Sequence, residues 1–331
     1  MPTLIDVTAA IIEKDGKVLA ARRKPGTHLA GYWEFPGGKL EKGESPQECL
    51  RRELYEEFNI ETRVGAYMGE SVYHYETKSI RLLAYQVRHI SGQFELRDHD
   101  QLRWLAVSDL RNIQWAPADV PLVEQYLTTA GTLAFYDTNA KQYCAETNEL
   151  PMDGLYQRFM ERIPKQAHIL DLGCGSGRDS KAFLDAGYQV TALDASEEIA
   201  GLAEKKLGQP VLTARFEEID FEEKFDGIWA SASLLHCPKS RIPAVLSKVI
   251  KALKPGGIAY MSFKWGQDES RDSVGRYFNN YTDDSLRTQL QMETDLYIEA
   301  IWLETKPLRG QEQIWVNAIV KRKTIEIDQN K

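Results

Sequence analysis

Cysteine is scarce in this chain, and the few present are scattered. Cys49, Cys144, Cys174 and Cys237 are the whole complement of a 331-residue sequence, with no CxxC pair among them. That excludes a disulfide-stapled scaffold and a cysteine zinc or redox site, and it fits a reducing compartment. Long apolar runs are missing too. None approaches the roughly 20 residues of a bilayer span, and no charged start leads into an apolar leader core, so a soluble, cytoplasmic protein without a membrane partner is expected. Neither half has an excess of positive charge. The net charge of −8, divided at residue 130, falls as −3 and −5, so no part offers the cationic face that duplex nucleic acid requires. Small anions remain open as ligands, because one basic pocket suffices for a triphosphate.

What is there is ordinary globular composition in a chain too long for one domain. Val7 to Ile12 and Val18 to Arg22 read as a hairpin closed at Lys14-Asp15-Gly16-Lys17. After a Gly/Pro-rich stretch, Ser45-Pro46-Gln47-Glu48 has the cap and N-terminal proline of a helix over 46–58. Ser71 to Tyr75, Ser79 to Arg88 and Gln101 to Ala106 read as strands, and Leu122 to Leu127 as a closing helix. The small polar run Thr128-Thr129-Ala130-Gly131-Thr132 predicts a boundary, dividing the chain into domains 1–130 and 131–331. Beyond it, strands at His168–Leu172, Gln189–Leu193, Val211–Arg215, Phe225–Ala230 and Gly257–Phe263 alternate with helical stretches, the pattern of a parallel sheet covered on both faces. Tyr297–Glu304 and Gln313–Val320 close the chain, the last as an antiparallel strand.

On the helix over 46–58, Glu53, Glu56 and Glu57 share an arc of about 100°. Like charges so close oppose helix formation unless a hard cation such as Mg²⁺ sits among them, where it could also hold substrate phosphates. Taken alone, the pattern reads as a solvated acidic face. The whole string reads differently. Gly38, five residues, Glu44, seven residues, then Arg52-Glu53-Leu54-x-Glu56-Glu57-x-x-Ile60 resembles the Nudix box GX5EX7REUXEEXGU. The single departure is Asn59 in place of the last glycine, and Asn is the next best residue at a left-handed helix end.

The resemblance covers residues 1 to about 128 and is nearest to the MutT-like branch, through Arg22-Arg23, Tyr32-Trp33-Glu34-Phe35-Pro36-Gly37-Gly38 and Ala116-Pro117-Ala118-Asp119. It implies an α/β/α sandwich with a mixed sheet and a catalytic set of Glu53, Glu56, Glu57, Glu44, Arg52 and Asp98. Glu53, Glu56 and Glu57 would ligate Mg²⁺ or Mn²⁺, Glu44 and Arg52 would support them, and Asp98 would be a further ligand or base. Arg23, Phe35, Gly37, Gly38 and Asp119 would meet the substrate, Asp119 at the nucleobase and Phe35 by stacking. The run Ala116 to Leu122 is most like the CTP pyrophosphohydrolase type, so the implied reaction splits a nucleoside triphosphate, modified ones included, into monophosphate and pyrophosphate. His28, His74 and His99 have no His or Cys at ligand spacing and read as surface or packing residues.

In the second half an apolar strand runs through Asp171 into Gly173, Gly175 and Gly177, and the next strand ends at Asp194, where an acid can bond the hydroxyls of a ribose. The glycines fall as GxGxG, with Arg178 where a dinucleotide fingerprint wants its third glycine, which disfavours pyrophosphate binding. The string resembles motif I of class I S-adenosylmethionine-dependent methyltransferases. Phe225-Asp226-Gly227-Ile228-Trp229 and Leu253-Lys254-Pro255-Gly256-Gly257 extend that likeness over about 133–323. It implies a Rossmann-like, mostly parallel seven-stranded sheet, with Gly173, Gly175 and Gly177 beside the methionine portion of S-adenosylmethionine, Asp171 at its amino end, Asp194 at the ribose and Phe216 near the adenine. Tyr136, Ser231, Ser233 and His236 could face a small-molecule acceptor, although lone polar residues of this kind are more often structural. The expectation is an α/β enzyme with two activities; a second half that binds its cofactor as a sensor or scaffold is the alternative.

Overall fold

The structure is a computed structural model and describes residues 4–14, 16–308 and 311–324. It divides into two compact units, 1–130 and 131–331. Asp15, in the expected first turn, lies outside the described residues.

The first unit contains strands β1 (Leu4–Lys14), β2 (Lys17–Arg23) and β3 (Trp33–Glu34), helix α1 (Pro46–Phe58), strands β4 (Glu61–His74), β5 (Ser79–Ser91) and β6 (His99–Ala106), and the start of helix α2 (Val120–Asn148). The strands form one mixed sheet in the order β3-β2-β1-β5-β4, with β6 also on β2. Alternation along β1 divides the core in two. Ala10 and Ile12 join Leu50, Leu54 and Phe58 of α1, while Ala9 and Ile11 join Leu122, Val123 and Tyr126 of α2. The sheet thus has one helix on each face.

Two local expectations need correcting. The run 128–132 is helical within α2: Thr128 Oγ1 donates to Glu124 O at 2.7 Å and Thr129 Oγ1 to Tyr126 O at 3.1 Å, so hydroxyls that favour loops are satisfied by the helix's own carbonyls. Strand β4 begins well before Ser71, because register shifts around Val64, Tyr67 and Gly69 break the alternation that a strand leaves in sequence.

The second unit takes the remainder of α2, then α3 (Asp153–Met160), β7 (His168–Leu172), α4 (Arg178–Asp185), β8 (Gln189–Asp194), α5 (Glu197–Leu207), β9 (Val211–Thr213) and β10 (Phe225–Ala230). After these come α6 (Ile242–Ala252), β11 (Leu253–Lys264), β12 (Glu269–Arg271), β13 (Tyr277–Asn279), α7 (Asp283–Gln291), β14 (Leu296–Leu308) and β15 (Gln311–Arg322). Its seven-stranded sheet runs β14-β15-β11-β10-β7-β8-β9, parallel from β11 to β9, with β15 antiparallel to both of its neighbours. The order reverses between β7 and β10, and the carboxyl ends of strands at such a switch are where open α/β sheets bind ligands. The β12–β13 hairpin was not legible, since strands of three residues carry no periodicity. Among the described residues no helix is long and apolar enough to cross a membrane.

Candidate functional site

Helix α1 starts as its sequence dictates. Ser45 Oγ accepts from Glu48 N while Glu48 Oε2 accepts from Ser45 N at 2.9 Å, a reciprocal cap, and Asn59 ends the helix at φ 55°, ψ 37°. That fixes the phase of the carboxylates. Arg52 then gathers them. Its Nε and Nη2 fork onto Glu44 at 2.9 and 3.0 Å, and Nη1 reaches Glu53 at 2.9 Å and Glu56 at 3.2 Å. The guanidinium holds the Glu44 carboxyl below the usual carboxylate range, and the carboxylates raise the pKa of Arg52 further.

Gly38 is needed for proximity: a Cβ there would lie 2.1 Å from the carboxyl carbon of Glu53. At Gly37 the backbone has φ +155° and a Cβ would meet Thr8 O at 2.1 Å. The loop therefore lies flat on β1 and leaves room for a carboxylate directly above it.

Glu57 is turned away from Arg52. Its side chain is 16% exposed and Oε2 is buried with no hydrogen-bond partner. Burial first, then the charges of Glu53, Glu34 and Asp98, push its pKa up to about 8. Asp98 is 60% exposed and pairs with Lys24 Nζ at 2.8 Å, which holds it below its ordinary value. The glutamates are thus gathered around Arg52 and beside Glu57 rather than converged on one point, and among the described residues no three metal-binding side chains form a ready-made ion site. Still, the donor set suits a hard divalent cation. The glutamates offer oxygen donors, and one of these is a buried carboxylate oxygen without a hydrogen-bond partner among the described residues.

Glu34, which sequence reasoning gave no role, and His99, which it read as a surface or packing residue, complete this half. Glu34 accepts from Arg23 Nη1 with both oxygens, at 2.8 and 2.7 Å, and lies 2.8 Å from His99 Nε2. Its charge also helps raise Asp119, whose buried carboxylate accepts from Phe35 N at 2.9 Å and is pushed well above the usual range, chiefly by burial. The hint in the sequence was Glu34 lying next to Phe35 in a strand leading to the glycine loop. Phe35 itself needs correcting as an open stacking surface: it is 3% exposed and its ring packs on Trp115, centroids 4.8 Å apart.

In the second unit the chemistry is carried by backbone. Gly173, Gly175 and Gly177 all have positive φ, at +80°, +53° and +72°. A Cβ on Gly173 would sit 2.4 Å from Ser233 Cβ and 3.5 Å from the Phe216 ring, and one on Gly175 would touch the Tyr143 ring at 3.6 Å. The loop is a cradle that any side chain would fill. Asp194 faces it, accepting from Gly175 N and Ser196 N at 2.9 Å each, bonds that offset part of its upward shift on burial. This shape fits an adenosyl cofactor lying over the glycines, with Asp194 and Phe216 alongside.

Asp171 is held by the fold itself. It is 2% exposed and accepts from Ser180 Oγ of α4 at 2.6 Å, with burial and nearby Asp179 raising its pKa. It braces the strand against the helix. Ser233 is likewise structural, donating to Leu172 O at 2.5 Å. Tyr136 and His236 do meet: their polar atoms are 2.7 Å apart, and His236 Nδ1 lies 2.7 Å from Tyr277 O. A carbonyl only accepts, so Nδ1 carries the ring proton and Nε2 accepts from Tyr136. Arg276 Nη1, 3.5 Å from Tyr136 Oη, belongs to the same cluster and was not foreseen.

Two sequence families match the chain, one in each unit. The profile described as NUDIX domain matches residues 2–126, and that described as methyltransferase domain matches residues 169–257. The CTP pyrophosphohydrolase of Escherichia coli K12 is 40% identical over 124 residues, covering 38% of this chain and 92% of that protein. The chain belongs to the Nudix family. Behind its Nudix domain stands a methyltransferase domain. A Bacillus subtilis 168 protein provisionally named as a methyltransferase is 30% identical over 140 residues, 39% of this chain and 57% of that protein. The solved 1,6-didemethyltoxoflavin-N1-methyltransferase of Burkholderia thailandensis shares the fold of this second domain, with TM-score 0.50 and 20% identity over 60% of this chain and 90% of that one. The chain therefore joins a Nudix domain to a methyltransferase domain.

Proposed function

We propose that the first domain hydrolyses nucleoside triphosphates, cytidine triphosphates and their modified forms foremost, to monophosphate and pyrophosphate in a Mg²⁺- or Mn²⁺-dependent reaction. On this reading Glu53, Glu56 and Glu57 hold the ion, Arg52 and Glu44 fix their directions, and Asp98 stands by as a further ligand or base. A divalent ion bound there supplies positive charge to the phosphoryl oxygens. Water adds to an inner phosphorus, the bond to the departing pyrophosphate breaks, and a nearby carboxylate takes the water's proton. Arg23 and Asp119 meet the nucleotide, Asp119 from a buried position where a protonated carboxyl can donate to the base. The choice of cytidine rests on the 40% identity to the E. coli CTP pyrophosphohydrolase.

The second domain is proposed to transfer the methyl group of S-adenosylmethionine to a small molecule. Gly173, Gly175 and Gly177 provide the floor, Asp194 the ribose contact and Phe216 an adenine neighbour. Alignment of nucleophile and sulfonium accounts for most of such a reaction. The proposal places both activities in the cytoplasm.

The observation that carries the hydrolase reading is the buried, unpartnered Oε2 of Glu57 beside the carboxylates that Arg52 gathers. Its test is Glu57→Gln, with turnover of CTP in Mg²⁺ followed by mass spectrometry of monophosphate and pyrophosphate. A loss of roughly 10³-fold is expected, from the several kcal/mol that a bridging ion supplies; full activity in the variant would refute the assignment.

A further inference from the structure

His99 opens β6 next to the glutamate helix. The residue is 5% exposed, and its ring lies on Phe58 with centroids 5.0 Å apart and planes 22° from parallel. Nε2 is 2.8 Å from Glu34 Oε1. A carboxylate accepts and does not donate, so Nε2 donates to Glu34, and Nδ1 is the ring nitrogen nearest Glu57. That nitrogen is buried and unpartnered, and 3.9 Å from it lies the equally unpartnered Oε2 of Glu57. At that separation the two polar atoms are too far apart to hydrogen-bond to each other, and a cation between them would partner both.

The surroundings point the same way. An imidazole that ligates a metal ordinarily gives its other N–H to a carboxylate, which fixes the tautomer and strengthens the donor nitrogen. Glu34 does this for His99 and is itself fixed by Arg23, whose Nη1 bonds both of its oxygens. Ligand bonds of roughly 2.0–2.2 Å from each side reach a common point within the 3.9 Å gap. We propose that His99 Nδ1 is a nitrogen ligand of the divalent ion held by Glu57, giving a mixed nitrogen and oxygen site that prefers Mn²⁺ or Co²⁺ to Mg²⁺. The preference follows from donor type, because Mg²⁺ takes oxygen ligands and imidazole suits first-row transition ions. The inference rests on the reading that Glu57 takes a divalent ion.

The test is pulsed electron paramagnetic resonance on the full chain, stripped with chelator and loaded with Mn²⁺, once with natural histidine and once with ¹⁵N-histidine. The expected result is modulation from one directly bound imidazole nitrogen that changes with the isotope. His99→Gln, whose amide can keep the bond to Glu34, should abolish it and lower the Co²⁺ over Mg²⁺ preference in competition binding by about tenfold. Circular dichroism reports whether the variant is folded, and should it not be, the isotope comparison in the unaltered chain decides. Bound Mn²⁺ without nitrogen coupling, or coupling that survives in a folded His99→Gln, would overturn the proposal and leave the hydrolase reading standing. A chain that binds no Mn²⁺, with or without CTP, would overturn both.

Discussion

The two domains encode their chemistry in different material. In the Nudix domain it lies in charged side chains at fixed intervals on one helix, organised by Arg52, which bonds Glu44, Glu53 and Glu56 together. In the methyltransferase domain it lies in backbone, where glycines clear a cradle and Asp194 accepts from the main chain of Gly175 and Ser196. On the proposed function a side-chain site announces its reaction, because the carboxylates would be the reagents. A backbone site announces only the shape of its cofactor, and leaves the acceptor to side chains with no fixed spacing.

The sharpest way to break this comparison is Gly38→Ala. A methyl group would lie 2.1 Å from the Glu53 carboxyl carbon, so CTP hydrolysis should fall by roughly 10²-fold or more, as for a displaced catalytic group, while calorimetric S-adenosylmethionine affinity stays unchanged. If a backbone methyl leaves hydrolysis intact, the first site depends less on the loop than the contact implies. In the second domain, Asp194→Ala should weaken S-adenosylmethionine by about 10- to 100-fold, the loss of charge-assisted bonds worth about 1.5–3 kcal/mol. Unaltered calorimetric affinity would show that the ribose contact is misassigned.

A third prediction concerns pH. Glu57 is raised to about 8 from 4.5, so the metal-free fold takes up a proton that the unfolded chain releases. The stabilisation is complete below about pH 4.5 and is lost as pH rises through 8, amounting to a few kcal/mol at most. Denaturant midpoints of the chelated protein should fall over that range, and Glu57→Gln should flatten the slope; a slope identical in the variant would assign the effect to another group. The smallest effect is at the helix end. Asn59→Gly should be neutral within about 0.5 kcal/mol and Asn59→Ala should cost about 1 kcal/mol, as the left-handed φ of 55° predicts. Equal melting temperatures for all three proteins would contradict the cap.

Legibility followed the same division. The helix over 46–58 was readable to the residue because its cap, proline and left-handed end are local signals. Strands β7 and β10 were readable because buried parallel strands are continuous apolar runs. The early part of β4 was hidden by bulges, and the helical run 128–132 by threonines whose hydroxyls turn inward to carbonyls. Within the sites, Arg52 and the glutamates were legible from spacing, whereas Glu34 and His99 were not, because their 2.8 Å contact joins positions 65 residues apart. Asp171 was legible as a motif residue but not as a brace, since its direction depends on Ser180 across the turn.

The grip of Arg52 has a practical corollary. With an internal cation already bonded to three acids, the helix does not need an added one to remain wound. The first domain should therefore tolerate repeated stripping and reloading without unravelling, and a preparation made in the presence of chelator would be dormant rather than damaged, ready to regain turnover when ions are returned.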